Sequence, residues 1–237
     1  MRRRLKPQDS ALAVRFDRES NEFDRSLGFF DATYAFALTL LVVNIDVPAA
    51  EKWSDPLTLL ASVSSQGTGF VLSFVVIVVF WLSNQAIISR LKVLDRTSIV
   101  LNIVVIGFVI FIPFSTQAIS DPGLEQLSLP TVLYALNCAA VLAVQTIMYE
   151  TAMSRGFGKV TRSPRTVLWE RIDSLANPGV FLLSIPVALL VGGVAGKITW
   201  LLMIPVGVVT GRQASRAELD DLQAMQQPDA AASDQTG

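Results

Sequence analysis

Apolar residues form long blocks along this chain, and charged residues are confined to the shorter segments between them. Each block is about twenty residues long, and a helix of that length spans roughly 30 Å, the thickness of the hydrocarbon core of a bilayer. The pattern therefore predicts an all-α integral membrane protein with six transmembrane helices. The approximate ranges are Leu27–Val47, Leu57–Ile88, Ile99–Ile119, Leu129–Met148, Leu168–Val191 and Val194–Val209.

The distribution of lysine and arginine predicts the orientation of these helices. With the N-terminus inside, seventeen of the nineteen basic residues fall on one side, and only Lys52 and Lys197 fall on the other. Because cytoplasmic loops are enriched in lysine and arginine, both termini are predicted to be cytoplasmic. Removing one helix would mix the two sets, so the asymmetry also supports the number of spans.

Polar composition at both ends divides the chain into three regions. Residues 1–24 form a basic cytoplasmic N-terminus, in which no cleavable signal peptide is expected. Residues 25–212 form the six-helix transmembrane domain. Residues 213–237 are polar and rich in Gln, Asp and Ala, which predicts a short helical extension of the sixth span followed by a disordered cytoplasmic tail.

The residue types that carry most enzyme chemistry are scarce in this chain. It contains no histidine, and its single cysteine, Cys138, lies inside an apolar block. No phosphate-binding loop, nucleophile elbow or metal-ligand cluster is present in the sequence. We therefore expect no enzymatic activity, no cofactor, no metal site and no nucleic-acid partner.

Asp31 is the most informative polar residue, because it lies inside the first apolar block about one turn from its start. An ionisable group at that depth costs several kcal/mol unless it faces protein, water or a partner. It could form a polar contact between helices or a site for an ion or proton, and we favour the interhelical contact. Arg25 lies about 240° away around a straight helix, so the partners of Asp31 are predicted on other helices.

Phe36, Leu40 and Val43 share one face of the first helix because they are four and three residues apart. Asp31 points about 140° away from this stripe, and Thr39 lies about 60° to its side. An apolar stripe in a membrane helix is typical of a face that contacts lipid or another helix. The stripe alone therefore does not indicate a pore.

Motifs in the first three blocks resemble those of a known family. The first block resembles an Arg-x-x-x-Phe-Ser-Asp signature, the second a Ser-Phe and Trp-x-x-His pattern, and the third a span that ends in Pro-Phe-x-Thr. Together they resemble the transmembrane protein 175 family of lysosomal and prokaryotic potassium channels, and the similarity covers about Arg25–Arg212. The matching residues are Arg25, Phe29, Asp31, Ser73-Phe74, Trp81, Leu101-Asn102 and Pro113-Phe114-Ser115-Thr116.

Two positions depart from the family pattern. Phe30 replaces the motif serine, so one hydroxyl hydrogen bond is lost, and Asn84 replaces the second-span histidine, with Gln85 next to it. Polar contacts remain possible at Asn84 and Gln85, but a titratable ring is absent. A pH response that depends on that histidine is therefore not expected here.

The resemblance implies a homotetramer in which the first helix of each subunit lines a central pore. Phe36 occupies the position of the family's isoleucine constriction, Leu40 and Val43 follow on the same face, and Thr39 matches a threonine implicated in cation selectivity. No Thr-Val-Gly-Tyr-Gly filter loop is present, in agreement with such a pore. The motif residues are assigned a structural role, and the polar ones are expected to set helix orientation; they are Arg25, Phe29, Asp31, Trp81, Asn84 and Asn102.

These observations predict a potassium-preferring cation channel in a prokaryotic plasma membrane. Its partners would be a second, third and fourth copy of itself, the lipid bilayer and monovalent cations, with permeant K⁺ as its only ligand. An alternative is a small ion-coupled secondary transporter, suggested by the intramembrane Asp31 and by the prolines in the fifth block. A membrane scaffold without transport activity is a further alternative.

Overall fold

The computed structural model describes residues 15–124, 127–158 and 163–233, with side chains described as far as residue 223. Six helical segments in this part of the chain are long and apolar enough to cross a membrane. The predicted all-α membrane fold is therefore confirmed. The helices are α1 Asn21–Val43, α2 Pro56–Ser89, α3 Arg96–Ser120, α4 Ser128–Ser154, α5 Pro164–Val191, α6 Gly193–Thr199 and α7 Met203–Ser233.

The sixth span is a composite of α6, a 3₁₀ turn at Trp200–Leu202 and α7. It is much longer than the predicted Val194–Val209 block, because α7 continues as far as Ser233 through the polar region beyond residue 212. The first helix also begins before the predicted boundary, at Asn21. The basic residues before Arg15, together with Lys159 and Arg162, lie outside the described residues.

Short polar side chains fix where several helices begin. Asp55 caps α2, because its Oδ2 accepts hydrogen bonds from the backbone N–H of Thr58 at 2.9 Å and from the Thr58 hydroxyl at 2.7 Å. These hydrogen bonds lower the pKa of the Asp55 carboxyl. Asp95 caps α3 in the same way through Ser98. At the C-terminal end of α5, Gly192 adopts a φ of 122°, a backbone conformation that residues with a side chain rarely adopt.

Two short strands, β1 Arg15–Asp17 and β2 Val93–Asp95, pair in antiparallel register. Each strand has only three residues, which is too short for the hydropathy pattern to predict. Arg18 continues the contact by donating a hydrogen bond to the carbonyl of Ile88 at 3.2 Å. The segment before α1 is thereby attached to the connection between α2 and α3.

The interior of the bundle is centred on α3 and α4, with α1 packed against α3 and α2. Helices approach closely at Gly69 of α2, where an added Cβ would lie 2.6 Å from the Cβ of Ser120. Only glycine fits there without displacing α3. Gly67 has open space around it, so of these two glycines only Gly69 lies at a close helix contact.

The first helix and its polar contacts

The first helix, α1, has a buried face and an exposed face. The buried face packs against α2 and α3, which hold the helix in a fixed orientation. Aromatic side chains dominate this face and supply much of its buried apolar area. Its buried residues are Phe23, Phe30, Tyr34, Ala37 and Leu41.

The opposite face of α1 is without a partner in the described chain. Phe36 and Val43 are 57% and 74% exposed, Thr39 is also exposed, and Leu40 is partly exposed at the edge of this face. The Thr39 hydroxyl donates a hydrogen bond to the carbonyl of Phe36 at 2.7 Å, within the same helix. The structure thus brings Phe36, Thr39 and Val43 onto one exposed surface, which we call the α1 outer face.

Asp31 points away from the α1 outer face and towards α2. Its Oδ1 accepts hydrogen bonds from Trp81 Nε1 at 2.9 Å and from Gln85 Nε2 at 2.5 Å. Trp81 and Gln85 are four residues apart, so they share one face of α2. We call this group the Asp31 cluster, and it is an interhelical contact made by a carboxylate with two neutral donors.

Asn84 and Asn102 form a second polar group, buried between α2 and α3. Asn102 Nδ2 donates to Asn84 Oδ1 at 3.1 Å and also lies 3.8 Å from the sulfur of Met148 on α4. Both asparagines are fully buried. Asn84 Nδ2 and Asn102 Oδ1 have no hydrogen-bond partner in the described protein, so this pair is incompletely satisfied.

Arg25 and Phe29 lie apart from both groups. Arg25 is exposed and makes no hydrogen bond or ion pair with the described residues. Phe29 is also exposed and contacts the ring of Phe30 edge-on, with 6.1 Å between ring centroids. The polar motif residues that we grouped together are therefore divided in a single chain between the Asp31 cluster, the asparagine pair and an exposed arginine.

Two further motif residues meet in the interior. The Thr116 hydroxyl donates to Ser73 Oγ at 2.7 Å, and Ser73 Oγ lies 3.0 Å from the Tyr134 hydroxyl. This network joins α2, α3 and α4. At the end of α1, Asn44 Nδ2 donates to the carbonyl of Pro113 at 2.6 Å. The roles of Tyr134 and Asn44 were not predicted, because neither the hydropathy pattern nor the motifs indicate which helices are neighbours.

The chain shows sequence similarity to named channel proteins. Residues 25–113 match the family model described as the endosomal/lysosomal potassium channel TMEM175. The chain is 30% identical to a protein of Streptomyces collinus named as a potassium channel, over an alignment of 101 residues. The alignment covers 43% of this chain and 49% of the relative. It is 31% identical to a protein of Chamaesiphon minutus named as a potassium channel, over 106 residues. This alignment covers 44% of this chain and 52% of the relative. The chain thus matches about half the length of these curated relatives.

Solved structures with the same fold cover more of the chain. One is the crystal structure of a Chamaesiphon minutus homologue of the lysosomal potassium-selective channel TMEM175. It matches with a TM-score of 0.60 and 23% sequence identity, and the match covers 84% of this chain and 99% of that one. A variant of the potassium channel MtTMEM175, solved with a nanobody–MBP fusion, has a TM-score of 0.59 and 19% identity over 90% of this chain and 99% of that one. The resemblance to the TMEM175 family is therefore confirmed, by sequence over residues 25–113 and by fold over most of the described chain.

Proposed function

We propose that this protein is a potassium-preferring cation channel, assembled as a homotetramer with α1 of each subunit around a central pore. The α1 outer face carries the proposal: a membrane-length helix holds Phe36, Thr39 and Val43 exposed while its opposite side is buried. Four copies of that face around an axis would form an apolar constriction. Such rings close a pore by dewetting, without a physical plug.

Within this arrangement Thr39 is the polar group available to a permeating ion. Its hydroxyl donates to the Phe36 carbonyl, which leaves the lone pairs of Thr39 Oγ1 free to face a cation. Four such oxygens would partly replace the hydration shell of a monovalent ion. The permeant ion is the only ligand that this function requires.

The Asp31 cluster determines which face of α1 would be presented to the proposed pore. Both hydrogen bonds to Asp31 come from α2, so they fix the rotation of α1 and hold the carboxylate away from the outer face. A carboxylate held by Trp81 and Gln85 is a positioning group. It is not placed to coordinate an ion on the proposed axis.

Potassium conductance in a purified system tests the proposed function. We expect protein reconstituted in planar bilayers to give single-channel steps, with a reversal potential that shifts toward the potassium equilibrium potential in a K⁺/Na⁺ gradient. Saturable flux coupled to a proton or sodium gradient would instead identify a secondary transporter. Absence of any flux from correctly folded protein would identify a scaffold.

For topology, we propose a multi-pass protein of the prokaryotic plasma membrane with both termini cytoplasmic. Reporter fusions near Asp55 and Gly123 should report an external position, and fusions near Lys92 and Gln213 an internal one. This follows because the connections predicted to be internal carry many more lysine and arginine residues than the external ones. An external signal at Lys92 would contradict this topology.

A further inference from the structure

A groove of about 510 Å³ lies along α7, and every residue that lines it belongs to this helix. Its first part is apolar, with Val208 beside two residues that lack a side chain, Gly207 and Gly211. Its second part is basic, because Arg212 and Arg216 both line it and both are exposed. Apolar surface and cationic groups therefore meet within one groove.

The boundary between the two parts lies where the membrane-length segment ends. The composite sixth span begins at Gly193, and Gly211 follows about 28 Å further along at 1.5 Å per residue. The hydrocarbon core of a bilayer is about 30 Å thick, and a headgroup layer of about 5–8 Å follows on each side. Arg212 and Arg216 are one turn apart, about 6 Å along the axis, so both fall within the depth of the lipid headgroups.

The two arginines have no acidic partner among the residues that the structure describes. Neither Arg212 nor Arg216 forms an ion pair or a side-chain hydrogen bond there. Asp220 lies one turn beyond Arg216, but it pairs with Arg165 of α5 at 3.3 Å. Both guanidinium groups are therefore available to an external anion.

Other acidic residues of α7 face the helix bundle instead of the groove. Glu218 pairs with Arg90 of α2 at 2.8 Å, and Asp221 Oδ2 accepts a hydrogen bond from the backbone N–H of Ser163 at 2.9 Å. At 100° per residue, Asp221 lies about 180° from Arg212 around the helix. Charge on this part of α7 is thus segregated, and the groove retains two uncompensated positive charges.

We infer that this groove binds the headgroup of an anionic phospholipid, at a site on α7 and not on the α1 outer face. Arg212 and Arg216 would donate hydrogen bonds to the phosphate oxygens, whose geometry the planar guanidinium group matches. Ser215 also lines the groove and adds a hydroxyl donor. An acyl chain would lie against Val208, whereas a soluble phosphate would leave that apolar part uncovered.

Lipid binding to the delipidated full-length protein, measured by native mass spectrometry from detergent, tests this site. Phosphatidylglycerol should bind at least about fivefold more tightly than phosphatidylcholine with the same acyl chains, because only the former has a net negative charge. Arg212→Gln and Arg216→Gln should each reduce the affinity for phosphatidylglycerol about fivefold and leave that for phosphatidylcholine nearly unchanged. Both positions are exposed and glutamine is a good helix former, so the variants should keep the fold.

Arg96→Gln is the matched control for these substitutions. Arg96 is an exposed arginine at the start of α3, without an ion pair in the described part of the chain and outside the groove. Its replacement removes the same charge and should leave the lipid preference unchanged.

Four results would overturn the inference: equal binding of the two lipids, an unchanged preference when Arg212→Gln and Arg216→Gln are combined, an equal loss in Arg96→Gln, or displacement of the lipid by millimolar glycerol phosphate. The last would identify a site for soluble phosphate. If the combined variant dissociated the oligomer without changing the lipid preference, the groove would be a contact between copies of the chain. Because binding is measured without current, a conducting protein that lacks the preference would refute this site and leave the proposed function intact.

Discussion

Phe36→Ala should raise the basal potassium conductance several-fold and bring the K⁺ and Na⁺ permeabilities closer together. In the proposed tetramer four phenylalanine rings close the axis, and their replacement by methyl groups widens and hydrates the narrowest point, so the dewetting barrier falls. Phe36 is 57% exposed in the single chain, so truncation removes little packing within the subunit. Single-channel recording with reversal potentials in a K⁺/Na⁺ gradient measures both effects.

Neighbouring residues of α1 supply the comparison. Leu40→Ser should have a similar but smaller effect than Phe36→Ala, because Leu40 is only partly exposed at the edge of the outer face. Val42→Ala is the matched control: Val42 is also 57% exposed but points about 120° away from Phe36. Leu41 is unsuitable as a control, since it is fully buried against the other helices. Equal changes at Val42 and Phe36 would show that the stripe does not line the pore.

Hydropathy and charge patterns predicted the six spans because the bilayer imposes length and composition on every helix independently. The same patterns gave no information on neighbours. Trp200 illustrates the limit: hydropathy places it within the sixth block but does not indicate its neighbours, and its ring is buried against Tyr134 and Phe181 while its Nε1 donates to Ser184 Oγ at 2.9 Å. That position depends on the crossing of α4, α5 and α6, which a single sequence does not reveal.

The polar contacts of the first helix were predictable only in part. The depth of Asp31 indicated partners on other helices, and the structure identifies them as Trp81 and Gln85. Their spacing of four residues was a signal available in the sequence, because two donors on one helical turn can reach the same oxygen. No signal in the sequence indicated that Asn84 and Asn102 lie apart from this cluster, since their separation follows from the rotation of α2 about its own axis.

Asp31→Asn should destabilise the folded subunit by about 1–3 kcal/mol while leaving the ion selectivity of the surviving channels in the proposed tetramer unchanged. The substitution preserves shape and an acceptor oxygen, but it converts two charge-assisted hydrogen bonds from Trp81 and Gln85 into neutral ones that are about half as strong. Thermal unfolding in detergent should show a lower midpoint, and current per cell should fall in proportion to the folded protein.

Asp46→Asn provides a matched control for this change, because Asp46 Oδ2 also accepts from a glutamine, Gln66 Nε2 at 2.7 Å, but in an exposed position. Exposed polar pairs contribute little to stability, so the control should shift the unfolding midpoint far less.

Trp81→Phe removes one donor to Asp31 and retains most of the ring, so it should also lower the midpoint without altering selectivity. If Asp31 instead coordinates the permeating ion, Asp31→Asn would assemble normally and shift the reversal potential, whereas Trp81→Phe would do so much less. That combination would replace the positioning role with a direct one, because a residue that only sets the rotation of α1 affects how many channels form and not which ion each one prefers.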